Sequence, residues 1–170
     1  MNKYLKRLLL ATAVLSFSSA VGAQETEFLK SLAGKWSGKG MVKVRVNASP
    51  MTVSCKFASD ATASSLSLDG NCTGMLVFSR VIGAHLTTNG VTYSGSYIGA
   101  GTGTAGLTGK RSGNAIDLGI RWAKDVNGDR EAQMKIEKIG ENGMRLTTVD
   151  TDPKTGKSVL TSLVDLSRLY

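Results

Sequence analysis

Apolar and polar residues alternate along most of the chain after residue 34, and turn-forming residues interrupt the alternation at short intervals. In the segment from Lys35 to Val46, Trp36 and Val42 share one face with the other even-numbered residues, while the lysines occupy the opposite face. A period of two is typical of strands that bury one face. Because no helical pattern separates these segments, consecutive strands are expected to run antiparallel. The sequence therefore predicts an all-β fold, an antiparallel up-and-down β-barrel of eight to ten strands, since closure removes exposed sheet edges.

One short N-terminal helix is predicted before the barrel. Thr26 can cap this helix, Phe28 and Leu32 lie four residues apart on one face, and Gly34 can end it. The helix is therefore expected to present a small apolar face to the barrel that follows.

The pair Asn89-Gly90 is the strongest hairpin signal in the chain. A two-residue turn at this position predicts that Leu86 lies opposite Tyr93 and that Ile82 lies opposite Tyr97. Both tyrosines are then expected on the inner face of the sheet.

The N-terminus has the features of a secretory signal. Lys3, Lys6 and Arg7 precede an apolar run of about ten residues, Leu8 to Phe17, and small residues surround a cleavage site after Ala23. The run is shorter than the roughly 20 apolar residues that a transmembrane helix needs. We therefore expect export to the periplasm. The predicted division is a signal peptide over residues 1–23 and a barrel domain over residues 24–170.

The two cysteines are expected on the apolar face of consecutive strands. A symmetric loop between these strands pairs Cys55 with Cys72 and sets Phe57 beside Gly70. In an oxidising compartment such a pair favours a disulfide over a redox-active or nucleophilic thiol. Further inward positions along the second of these strands are Leu76 and Phe78.

The charge of the chain is positive, with 21 Lys and Arg residues against 13 Asp and Glu residues. The formal charge of +8 falls to about +5 without the leader, and export removes the chain from nucleic acid, so no nucleic-acid partner is predicted. A basic stripe on the first strand is either a solvated face or a contact for anionic envelope lipid or an acidic protein. A membrane-spanning barrel is disfavoured because lipid-facing cations are costly. The stripe comprises Lys35, Lys39, Lys43 and Arg45.

Metal and cofactor sites are not expected, because two cysteines and one histidine cannot form a Cys₄ or His₃ site. The run from Gly101 to Gly106 fits G-x-G-x-x-G, but a strand pattern follows it, whereas a phosphate site needs a helix. Asp125 to Asp129 lacks the ligand spacing of a calcium loop and predicts a hairpin turn. His85 is expected on the outer face, and Asp150 and Asp152 are expected as turn formers. No catalytic residue, and hence no enzyme activity, is predicted.

The segment from Phe28 to Gly38 resembles the opening of the calycin superfamily. In that superfamily a short helix leads to a G-x-W motif, here Gly34-Lys35-Trp36, at the start of the first barrel strand. The resemblance implies that Trp36 packs across the closed end of the barrel and that Arg168, from the last strand, covers it. The later run from Tyr93 to Trp122 is similar to avidin and bacterial lipocalin-like members.

The chain also departs from these relatives. It has no helix-turn-helix lid like that of fatty-acid-binding proteins, and its two tryptophans are too few to enclose biotin as avidins do. The leading hypothesis is therefore a barrel that binds a small apolar or amphipathic ligand in its interior, without a cofactor. The alternatives are a barrel filled by its own side chains, and an interaction module acting through its surface or loops as an enzyme inhibitor or envelope-maintenance factor. The expected ligand contacts are Tyr93 and Tyr97 above all, with Phe57, Leu86, Leu107 and Met134.

Overall fold

The alternating segments form strands that close into a barrel. The computed structural model describes residues 18–74 and 78–170, and within these residues it contains one helix and ten strands. The leader residues 1–17 and the inward position Leu76 lie outside the described residues. The elements are α1 (Ser18–Leu32), β1 (Gly34–Val42), β2 (Met51–Ala61), β3 (Ser65–Gly74), β4 (Phe78–Thr88), β5 (Tyr93–Ile98), β6 (Ala105–Ser112), β7 (Ala115–Val126), β8 (Asp129–Ile139), β9 (Gly143–Thr151) and β10 (Ser158–Leu169).

Every strand pairs antiparallel with its neighbours along the chain, and β1 pairs with β10 to close the barrel. The closing register places Trp36 opposite Arg168 and Val42 opposite Ser162. The predicted fold class is confirmed, at the upper end of the predicted strand number. We call the end where β1 begins the closed end, because α1 packs there, and the end where β1 stops the open end.

The cysteine pairing is also confirmed. Cys55 lies directly opposite Cys72 on β2 and β3, and the two form a disulfide. Phe57 lies opposite Gly70, where a side chain would collide with the Phe57 ring and the Lys56 carbonyl. The glycine thus lets the large ring occupy the barrel interior next to the disulfide.

The turn at Asn89-Gly90 is longer than the sequence suggested. Thr88 pairs with Tyr93, so residues 89–92 form a four-residue loop, and the predicted register is wrong by two residues. The Asn89 side-chain oxygen accepts hydrogen bonds from the backbone N–H groups of Val91 (3.0 Å) and Thr92 (2.9 Å), which stabilises the longer loop. Because the shift is even, both tyrosines keep their inward orientation.

The first strand is shorter than predicted, because β1 ends at Val42 rather than at Val46. Val42 pairs with Met51, so residues 43–50 form the connection, and the Ala48 N–H donates to the Arg45 carbonyl in a turn. The predicted inward residue Val44 is 66% exposed. The predicted basic stripe is therefore divided. Lys35 and Lys39 lie exposed on β1, whereas Lys43 and Arg45 lie in the connection.

The helix begins before its predicted cap. The Thr26 hydroxyl donates to the Gly22 carbonyl at 3.0 Å, so this residue lies within α1 instead of starting it. The end is close to the prediction, since α1 stops at Leu32 and Gly34 follows with a φ of +129°. Leu29 and Leu32 are fully buried and Phe28 is nearly so, and they bring the apolar face of the helix onto the barrel.

Removing the disulfide tests its contribution to stability. The Cys55→Ala/Cys72→Ala variant is expected to lose about 3 kcal/mol of unfolding free energy, because the crosslink closes a loop of 17 residues. Urea unfolding without reductant measures the difference, and the reduced wild-type protein serves as the control. Equal unfolding midpoints for the variant and the oxidised wild type would contradict a structural disulfide.

Candidate functional site

The open half of the barrel contains a cavity of about 520 Å³. It reaches solvent at the open end, where the side chains of Val44 and Phe78, each 66% exposed, lie on its rim. Phe78 was predicted as an inward position of the strand that holds Cys72. It instead begins β4 and lines the cavity on the inward side, where it is exposed because it lies at the open end. Small-molecule sites in proteins occupy about 300–1,000 Å³, so the cavity is large enough for a ligand.

Most of the cavity wall is apolar and comes from inward positions of the strands. Tyr97 and Trp122 form an aromatic pair, with ring centroids 5.9 Å apart and ring planes at 58°. Burial raises the pKa of Tyr97 to about 12, and the Arg80 charge opposes this shift. The phenol therefore stays protonated at neutral pH and can donate a hydrogen bond. The other apolar residues of the deeper wall are Phe57, Leu68, Ala84, Met134, Ile136, Leu146 and Val164.

A polar strip interrupts the wall on β9 and β10. The register shifts between Leu160 and Ser162, and this bulge turns Thr161 into the interior. The Thr161 hydroxyl donates to Asp150 Oδ2 at 3.1 Å, and Asp150 is only 4% exposed. Desolvation raises the pKa of Asp150, while hydrogen bonds from Thr161 and Asn127 partly oppose that shift.

Two polar atoms of the cavity residues lack hydrogen-bond partners in the described part of the chain. They are Asp150 Oδ1 and the indole Nε1 of Trp122, and both side chains are buried. Leaving such a group unsatisfied costs roughly 1–3 kcal/mol, so these atoms are open to a ligand that supplies the missing partners. An acceptor and a donor are thus available on the wall of the same cavity.

The closed end has a different construction. Trp36 is fully buried, its indole N–H donates to the Leu32 carbonyl at 3.1 Å, and the Arg168 guanidinium lies 4.2 Å from the ring centroid. Arg168 also donates to the carbonyls of Ala33 and Ser31, the latter at 2.7 Å. The last strand therefore covers both the tryptophan and the end of α1, which is the arrangement that the calycin resemblance implies for Trp36 and Arg168.

Tyr93 belongs to this closed end and is not among the cavity residues. Its hydroxyl donates to Glu25 of α1, and burial raises the pKa of the phenol. Arg111 lies 3.2 Å from the Glu25 carboxylate and 4.0 Å from the Phe28 ring centroid. The structure thus separates the two tyrosines that the sequence suggested as a ligand-binding pair.

The other residues that were predicted to contact a ligand also divide between the cavity and the packed core. Phe57, Tyr97 and Met134 line the cavity. Leu86 and Leu107 are buried in the core, 2% and 1% exposed, and do not line it. Sequence reasoning missed Trp122, Thr161 and Asp150, although Asp150 continues the inward even-numbered series of β9. The prediction of Asp150 as a turn former is corrected, because β9 continues to Thr151 and the side chain is buried.

The other motifs have structural roles. Residues 101–103 lie in the connection before β6 and open no helix, and residues 127–128 form the turn between β7 and β8. His85 lies on the outer face, 3.1 Å from Asp69. In residues 18–74 and 78–170, no group of three or more His, Cys, Asp or Glu side chains could hold a metal ion. No helix among these residues is both long enough and apolar enough to cross a membrane.

The fold and the site define a closed ten-stranded antiparallel barrel with a helix at one end and a cavity at the other. No protein-family model matches the sequence, and no curated protein is significantly similar to it. The barrel is similar to the crystal structure of Rv2717c from M. tuberculosis, with a TM-score of 0.67 and 12% sequence identity. The match covers 86% of this chain and 98% of that chain. At this identity the likeness establishes the fold.

Replacing Arg168 tests the cover of the closed end. Arg168→Met keeps an apolar side chain over Trp36 but removes the hydrogen bonds to the end of α1. We expect a loss of about 2 kcal/mol in unfolding free energy, measured by urea unfolding. Arg121→Met, at an exposed ion pair with Glu131, is the control and should change stability very little. Equal effects of the two substitutions would show that the cover has no special role.

Replacing Asp150 tests whether burial of its charged form lowers the stability of the protein. The pKa of Asp150 is raised in the folded protein, so its protonated form is favoured there. Its contribution to the free energy of unfolding is therefore complete below the unfolded pKa of about 3.9 and is lost as the pH rises through the folded pKa. Asp150→Asn is therefore expected to raise the urea midpoint of the ligand-free protein at pH 7 but not at pH 4. Asp125→Asn, at an exposed position of β7, corrects for the lost charge. A difference between the Asp150 variant and wild type that does not depend on pH would contradict this account.

Proposed function

We propose that this protein is a periplasmic, calycin-like barrel that binds a small amphipathic ligand in the cavity at its open end. The observation that carries the proposal is the cavity of about 520 Å³, whose wall is largely apolar and includes two buried polar residues with unpartnered atoms. Ligand sites typically combine an apolar lining with a few polar groups that fix orientation. A cavity serving only as a packing defect would be expected to lack such groups.

The uneven filling of the barrel supports a binding role. The closed half is packed with large side chains, among them Trp36, Leu107, Ile116 and Leu118, each at most 1% exposed. Small residues such as Ala84 and Gly74 line the open half. The chain therefore fills one end of its barrel and leaves the other hollow, which argues against a barrel filled throughout by its own side chains.

The disulfide and the predicted leader support export. A disulfide between neighbouring strands is stable in an oxidising compartment such as the periplasm. The calycin-like character rests on the Gly34-Lys35-Trp36 motif and on the position of Arg168 above Trp36. The proposal is one of binding without catalysis, because the hydrogen-bond partners of Asp150 are the side chains of Thr161 and Asn127, and neither is a general acid or base near neutral pH.

The proposal is tested by filling the cavity with a larger side chain and measuring the binding of N-phenyl-1-naphthylamine. This neutral probe increases its fluorescence in apolar surroundings. Wild-type protein is expected to bind the probe, and Ala84→Phe is expected to weaken binding about tenfold or more, because Ala84 is 4% exposed and lines the cavity. Ala58→Phe places the same ring on the exposed face of β2 and should leave binding unchanged.

Two results would contradict the proposal. One is the absence of a fluorescence increase with the wild-type protein, and the other is equal probe affinity in the two phenylalanine variants. Thermal unfolding of both variants, followed by circular dichroism, establishes that the comparison is made between folded proteins.

A further inference from the structure

The charged residues of the cavity wall bear on the chemistry of the ligand, an inference that rests on the proposed function. Three of the described residues that line the cavity carry ionisable charge. All three lie towards the open end. Lys43 is on the connection after β1, where its backbone N–H donates to the Thr161 carbonyl at 2.8 Å, and Arg80 is near the start of β4, whereas Asp150 is buried near the end of β9. The ligand class depends on which of these groups meets the polar part of the ligand.

Asp150 forms no ion pair with any residue that the structure describes. Its hydrogen-bond partners are neutral: the Thr161 hydroxyl donates to Oδ2 at 3.1 Å and the Asn127 side chain also bonds to the carboxylate, while Oδ1 has no partner among residues 18–74 and 78–170. The negative charge of Asp129 also acts on Asp150. The local potential therefore favours a positive group, and a donor is needed at Oδ1.

The two cations at the open end have less need of a ligand. Arg80 is exposed and already donates to the Gly99 carbonyl at 3.1 Å. Lys43 is partly exposed, and a strongly hydrated ammonium at a cavity mouth keeps much of its water. In contrast, the buried Asp150 has lost water on folding without gaining a charged partner.

Apart from Ser79 and Arg80 near the start of β4, the wall across from Asp150 is apolar. In the closed order of strands, β9 lies on the opposite side of the barrel from β4, and β5 follows β4. Ile82 and Ala84 of β4 and Tyr97 of β5 line the cavity on that side. A ligand can thus place one polar end on the strip formed by Asp150 and Thr161 and rest its apolar body on the opposite wall.

We infer that the ligand class is a cationic amphiphile, a protonated amine on an apolar body, whose ammonium group pairs with Asp150. An ammonium group supplies the donor that Oδ1 lacks and the opposite charge that the buried carboxylate lacks. The apolar body is held by the aromatic and aliphatic wall around Tyr97 and Trp122.

Three probes with the same chain and different head groups test the inference: decylamine, decanol and decanoate, each titrated calorimetrically at pH 7 below its aggregation concentration. Decylamine is expected to bind wild-type protein about tenfold or more tightly than decanol, and decanoate is expected to bind most weakly. In Asp150→Asn the affinity for decylamine should fall to near that for decanol, whose own affinity changes little. Asp125→Asn, at an exposed acid of β7, should retain the wild-type order.

The outcomes separate this inference from the proposal beneath it. Equal or tighter binding of decanoate to wild type would assign the head group to Lys43 and Arg80 and overturn the inference. An amine preference that persists in Asp150→Asn would overturn it as well. If none of the three probes binds wild type, or if Ala84→Phe weakens none of them, the proposed ligand-binding function itself fails. The wild-type comparison needs no variant, so it decides the inference even where a substitution prevents folding.

Discussion

Pairing of the first strand with the last holds this barrel closed, and the rest of the structure depends on it. Arg168 links that pairing to the helix, because it stacks on Trp36 and donates to two carbonyls at the end of α1. With β1 and β10 joined, the described strands leave no unpaired edge in the sheet. The helix then has a fixed surface on which to bury Leu29 and Leu32. The closure of the sheet and the packing of α1 on the closed end therefore depend on the same contacts.

The plugged end determines where a ligand can go. Large side chains and the helix occupy the closed half, so the free volume collects at the other end. The polar strip arises there from a local irregularity, because one extra residue in β10 turns Thr161 inward beside Asp150. A regular strand would alternate its side chains at this point, and the pairing of Asp150 with Thr161 depends on the bulge.

The sequence predicted the fold and the disulfide because both depend on the alternation of side chains between the two faces of each strand. Cys55 and Cys72 lie opposite each other for the same reason that Phe57 lies opposite Gly70, since one symmetric loop sets all the pairs of that hairpin. The hairpin after β4 was predicted with the wrong register, because the Asn89 side chain stabilises a four-residue loop where a two-residue turn was expected. The two-residue error left the inward faces unchanged.

The site was less predictable than the fold. Parity indicates which residues face the interior but not which half of the interior is filled, since filling depends on α1 and on summed side-chain volumes. Tyr93 and Tyr97 share one face of β5, yet Tyr93 bonds to Glu25 while Tyr97 faces the cavity. Asp150 looked like a turn residue because Pro153 follows shortly after it. Asp150 alternates with Thr148 and Leu146 along β9, and this spacing was the available signal that it faces the interior. The bulge at Thr161 could not be predicted from the sequence.

The disulfide also has a mechanical consequence for the barrel wall. It joins β2 and β3 covalently, and Cys72 borders the cavity, so that part of the wall resists widening. Two strands further round the barrel, β5 has only six residues, the fewest among the ten described strands, and shares short ladders with its neighbours. Segments with fewer hydrogen bonds open at lower free energy. Strand pairing in the wall is therefore uneven, strongest at the covalently joined β2 and β3 and least extensive at the strand that carries Tyr97.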